Sequence, residues 1–227
     1  MKPVLLSCTL AMLWHASSVG AATIANYNFD SRSLNSADSD LLSDADPFVI
    51  SFGTGASTTS TAGGTAYVFS NRVAGTPTTP GDETAAITLD RYFAFTVRPI
   101  AGQKLDFTSI IFDIKFDSSV GSATWFVRSS ADSYSQTLGS FVAPVSTVDT
   151  PITPSSPISL ASMAQATGDV TFRLYLFDDQ DSGSLPHRLD NVILEADVLP
   201  VPEPASLVLA VMGAAMIARR RCRRVQF

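Results

Sequence analysis

Cysteine is nearly absent from this 227-residue chain: there are two, Cys8 and Cys222, one towards each end. The body between them has no thiol, which excludes an internal disulfide, a cysteine nucleophile and a zinc–thiolate site. Histidine is equally scarce, with only His15 and His187. One histidine in the body is too few for zinc, and no Gly-x-Ser-x-Gly elbow accompanies the abundant serines. Next to Pro186, His187 reads as a loop residue and not as a general base. Basic residues are few, 15 Lys and Arg against 21 Asp and Glu. A run of about 20 apolar residues, which an ordinary membrane span needs, is also missing.

What is present is sharpest at the two ends. Residues 1–22 have the layout of a secretory signal peptide: Lys2, an apolar stretch over 4–14 forming the signal helix, then small residues ending Gly20-Ala21-Ala22. The cut falls after Ala21 or Ala22. Leu5-Leu6-Ser7-Cys8 superficially resembles a lipoprotein box, but too few residues precede Cys8 for a normal apolar core.

At the other end, Pro200, Pro202 and Pro204 remove three backbone donors, so neither a helix nor a central strand continues through them. The stretch 205–218 then has no polar face, and Arg219, Arg220, Arg221, Arg223 and Arg224 follow as a basic stop under the positive-inside rule. Its 14 residues make a helix of roughly 21 Å against a hydrocarbon core of ~30 Å. So short an anchor needs bilayer thinning or snorkelling arginines.

The Pro202-Glu203-Pro204 tripeptide, the short apolar helix and the arginine cluster, in that order, resemble a PEP-CTERM sorting signal. The resemblance implies recognition by exosortase, a membrane transpeptidase-like enzyme of Gram-negative bacteria that also make exopolysaccharide, with cleavage near the tripeptide. It implies signal peptidase, exosortase, a transient stay in the inner membrane and exopolysaccharide as partners. The destination is the cell surface or extracellular matrix after processing, and the membrane before it. A plain tail that stays anchored is the alternative. Either way the chain divides into signal peptide (1–22), ectodomain (23–199) and sorting signal (200–227).

Without Lys2 and the five tail arginines, 9 basic residues remain against all 21 acidic ones, which lie from Asp30 to Glu203. The exported piece therefore carries a charge of −12, which argues against nucleic acid or anionic membrane as a partner.

Between the ends, short runs alternate apolar and polar residues, with Gly and Pro between them. Strands are expected over 24–30, 47–52, 66–69, 86–97, 110–116, 123–128, 137–142, 170–177 and 189–198. Phe93, Phe95 and Val97 share one face; Phe112, Ile114 and Phe116 oppose a wet face of Asp113 and Lys115. Residues 31–46 and 53–65 are expected as loops, and 158–166 as a turn or two of helix. The fold class is all-β: an antiparallel β-sandwich, most simply a jelly roll, with a barrel as the alternative. The closing segments 170–178 and 188–195 resemble the end of the jelly rolls of PEP-CTERM proteins and of galactose-binding-like and carbohydrate-binding modules.

Candidate sites are sparse. The acidic loop Asp178-Asp179-Gln180-Asp181-Ser182-Gly183 lacks the spacing and final glutamate of an EF-hand. The jelly-roll resemblance implies a structural calcium joining first and last strands, with Asn28, Asp30 and Asp190 at matching positions. Sugar stacking needs an exposed ring; Trp125, Tyr92, Tyr134 and Tyr175 are those available, and Trp125 is a sugar platform if it faces out and core if it faces in. Phe126, next to it, should face the other way. No catalytic residue emerges, and the expected activity is non-catalytic. The alternative is a polysaccharide-active enzyme using paired acids such as Asp113 and Glu195.

Overall fold

The structure, a computed structural model, describes residues 20–29, 33–38, 43–47, 49–52, 67–70, 82–117, 122–143, 145–146, 153–154, 156–178, 186–201 and 212. The alternating runs form two sheets that face each other. In the first, β1 (Ala22–Tyr27), β13 (Pro186–Pro200), β6 (Gln103–Asp117) and β10 (Thr153–Pro154) lie side by side. There β4 (Tyr67–Ser70) also pairs with β13, and β9 (Val145–Ser146) and β11 (Ile158–Ser159) pair with β6. In the second the order is β2 (Ser43–Ala45), β5 (Arg91–Pro99), β12 (Val170–Asp178), β7 (Ala123–Ser129) and β8 (Gly139–Ala143), and β3 (Val49–Phe52) also pairs with β5. All pairings are antiparallel except the two-residue contact of β6 with β9. The fold is the expected antiparallel sandwich.

The pleat sorts the side chains. Phe93, Phe95 and Val97 of β5, Phe172 and Leu174 of β12, and Phe112 and Ile114 of β6 are buried between the sheets. Aromatic rings carry much of this core: Phe95 stacks on Phe172 at 5.6 Å and Phe107 meets Phe172 edge-on at 5.2 Å. Such pairs add ~0.5–1.5 kcal/mol beyond their buried area.

Several expectations are corrected. Residues 86–88, expected as the start of a strand, are instead the end of a short helix, α1 (Glu83–Thr88), whose first turn is capped by Asp82 accepting from the Ala85 N–H at 2.7 Å. The segment 158–166 is not helical: it contains β11, a turn and a bridge from Ala166 to Leu105. Within the expected loop 31–46, Ser43–Ala45 adds β2 to the sheet edge beside Arg98. Lys115 is buried, so its side of β6 is not uniformly wet. The signal helix (1–19), the loop at 53–65 and the tail helix at 205–218 lie outside the described residues, apart from Met212. Among the described residues no helix is long and apolar enough to cross a membrane.

Candidate functional site

The sandwich is hydrogen-bonded up to the threshold of the tail. Leu199 and Pro200 pair with Lys104 and Gln103, and the Val201 N–H donates to the Gly102 carbonyl at 2.9 Å. Gly102 has φ +81°, the left-handed conformation that a tight turn between β5 and β6 demands and that glycine adopts without strain. Pro202, Glu203 and Pro204, and the arginines from Arg219 to Arg224, lie outside the described residues.

The calcium candidates are partly brought together. Tyr27, just before Asn28, pairs with Val192 of β13, two residues after Asp190. Asp190 is buried and its Oδ1 accepts from the Asn191 N–H at 2.9 Å, while Asn191 Nδ2 donates to Asp113 at 2.7 Å. Asp30 lies outside the described residues. Calcium takes six to eight oxygens, and among the described residues no group of three metal-ligating acids, histidines or cysteines occurs.

Trp125 is not a sugar platform. It is 0% exposed, with its ring between Phe93 at 5.9 Å and Phe112 at 5.8 Å, so neither face meets solvent. Phe126 does point the other way, yet it too is 0% exposed. It stacks on Tyr175 at 5.0 Å, in a cluster completed by Ala86 of α1. His187 is also corrected: it is a buried strand residue, opposite Phe116, and not a loop residue. Of the paired acids, Glu195 accepts from Ser109 at 2.7 Å, and Asp113 sits four β6 residues beyond Ser109.

A feature that the sequence reading passed over lies on the outer face of the second sheet. Tyr92, Ala94 and Thr96 of β5 share that face with Thr171, Arg173 and Tyr175 of β12, in register. Between them and Asp46, Pro47 and Val49 is a cup of about 220 Å³, to whose lining Phe95 of β5 also contributes. It exists because Ala94 is small where its neighbours are large.

The walls of the cup are held from behind. The buried Tyr27 hydroxyl donates to the Asp46 carbonyl at 2.6 Å, and the Asp46 N–H donates to Thr96 O at 2.8 Å. Burial first, and the Asp46 charge second, push the Tyr27 phenol far above its ordinary range, so it remains a donor. The Asp46 carboxylate accepts from Arg98 Nη2 at 2.8 Å. Opposite, the Arg173 guanidinium lies between two rings, with Cζ 4.0 Å from Tyr92 and 3.9 Å from Tyr134. Its Nη1 donates to Tyr175 Oη at 3.3 Å and approaches Asp90 at 3.8 Å. Its Nε is buried and has no acceptor among the described residues. The floor hydroxyls of Thr96 and Thr171 bond each other at 2.8 Å. Arg173 and Asp46 carry no sequence motif. The period-2 pattern of β12, which puts Arg173 on the face of Tyr175, is a signal for the first; nothing in the sequence marks Asp46.

Residues 200–224 match the PEP-CTERM protein-sorting motif. The tail therefore marks an exported chain, handled by exosortase and destined for the cell surface or beyond. No curated protein matches the chain. Among solved structures, it is similar to the K3 cleaved adhesin domain of Lys-gingipain from Porphyromonas gingivalis (14% identity, 76% of this chain and 99% of that one, TM-score 0.41). It is also similar to a family 11 carbohydrate-binding module from Clostridium thermocellum in complex with a β-1,3-1,4-mixed-linked tetrasaccharide (14% identity, 76% and 96%, TM-score 0.30). Likenesses of this size carry no statement about ligands.

Proposed function

We propose that this chain is a non-catalytic, polysaccharide-associated protein of the cell surface or extracellular matrix. A signal peptide over residues 1–22 takes it across the inner membrane, and the tail holds it there until exosortase cuts near Pro202-Glu203-Pro204. The observation that carries this reading is the sorting motif at residues 200–224, which begins where the last strand of a β-sandwich ends at Pro200. A signal placed hard against a folded domain delivers that domain. The acidic body suits a soluble cargo, since its charge disfavours adsorption to anionic membranes.

Mass spectrometry of the native product, recovered from the exporting bacterium, tests the reading. The expected C-terminus lies near Pro204, with the arginines and Cys222 gone. A product that still ends at Phe227 would show a permanent anchor and overturn the sorting claim. Polysaccharide hydrolysis abolished by a single carboxylate substitution would overturn the non-catalytic one.

A further inference from the structure

The cup between Asp46 and Arg173 has the makings of a ligand site, and its charges say which kind. Asp46 accepts from Arg98 at 2.8 Å, an arginine it shares with Asp169 at 3.4 Å, and Arg173 is faced by Asp90 at 3.8 Å. The two charged side chains that line the cup each have a partner of opposite sign, so the cup does not call for an ion. It offers hydrogen-bonding capacity instead. Of the five N–H donors of a guanidinium, Arg173 uses one among the described residues, in its hydrogen bond to Tyr175. Asp46 commits Oδ2 to Arg98, leaving Oδ1 without a partner among the described residues. Thr96 and Thr171 share one bond between two hydroxyls, so one hydroxyl hydrogen remains to donate. The other walls, Pro47, Val49 and Ala94, are apolar. At about 220 Å³ the cup is smaller than the ~300–1,000 Å³ of pockets that enclose drug-sized ligands, with room for one ring.

We infer that the cup between Asp46, Val49, Thr96, Thr171 and Arg173 binds a neutral hexose unit of a polysaccharide. Ring hydroxyls accept from Arg173 and donate to Asp46 Oδ1, and the C–H side of the ring lies against Pro47, Val49 and Ala94. The two tyrosines are positioning residues: they fix the guanidinium plane from both sides, so a bound hydroxyl meets a fork that is already oriented. The Tyr27 and Thr96 bonds to Asp46 do the same for the acceptor wall. This inference rests on the polysaccharide association proposed above and supplies the site for it.

Binding of neutral hexose oligosaccharides to the purified full-length chain, measured calorimetrically beside oligouronates of equal length and an acidic peptide, tests it. Saturable binding of a neutral oligosaccharide is expected, weakened at least tenfold in Arg173→Met. Ala94→Leu should weaken it equally by filling the cup from its floor; Ala94 lines the open volume, so the added isobutyl group enters that volume and the variant keeps the fold, as circular dichroism checks. Should Arg173→Met fail to fold, Ala94→Leu decides alone. Absence of neutral-sugar binding, or binding that survives Ala94→Leu, overturns the site. Oligouronates or the peptide binding tenfold more tightly than the neutral sugar overturn the ligand class. Failure of sorting would appear separately, as an intact Phe227, whatever the cup binds.

Discussion

Replacing Trp125 with Ala removes an indole wedged between Phe93 and Phe112 from the shared core of both sheets. Truncations of this type cost ~3–5 kcal/mol, so urea unfolding of Trp125→Ala should show a loss of that size, with the slope unchanged. A second residue-scale effect concerns Glu83, which accepts from Arg128 Nη2 at 2.7 Å and from the Thr137 hydroxyl. Burial pushes its carboxyl up, but the bonds from Thr137 and Arg128 outweigh it and leave the group below the ordinary carboxylate range. A carboxyl with a lowered folded pKa stabilises the protein above its unfolded pKa, and that share is lost as pH falls through the folded value. Denaturant midpoints taken through the acid range should therefore fall more steeply in the parent than in Glu83→Gln; parallel curves would show that the contacts do not favour the carboxylate. Both effects lie where single-residue reading is weakest. Alternation says that Trp125 and Phe126 point opposite ways but not which way is out. Here neither is, because α1 covers the second face.

At the scale of elements, what was legible followed from pattern length. β5 and β12 keep a strict period of two, and their inward faces were readable directly. β13 is legible through both of its register shifts, although Asn191 in the first has φ +46°; only its ends, 186–188 and 199–200, fall outside the alternating run. β6 starts at Gln103, before the run that begins at Ile110, and its missed part lies beyond the second shift, where Ser109 pairs with Glu195 and Phe107 with Ala196. α1 was missed because six residues give no helical period, although its start is marked by Asp82 and Glu83. Asp82→Ala should cost ~0.5–2 kcal/mol, the usual value of an N-cap, read as a drop in denaturation midpoint. It should also loosen the Ala86 cover over Phe126 and Tyr175, seen as faster hydrogen exchange in α1 than in β5. Unchanged exchange in α1 would show that the cap does not hold the helix.

For the whole molecule, the tail motif at residues 200–224 and the sandwich that ends at Pro200 were legible because composition changes abruptly where one gives way to the other. The cup was not, since it joins a rim residue, Asp46, to residues of β5 and β12 that lie 46 to 127 positions away, and only tertiary structure sets them across from each other. The clamp at Val201 has a further, mechanical consequence. A surface protein held by its C-terminal end feels drag along β13, the strand that leads to the tail. That strand, 15 residues long, is bonded to β6 on one side as far as Pro200, and on the other to β4 at residues 186–189 and to β1 at residues 192–196. A pull along its axis loads these antiparallel bonds together, in shear, instead of opening them one at a time. Tension applied at the tail would meet first the pairing with β6 alone and then the stretch held along both edges.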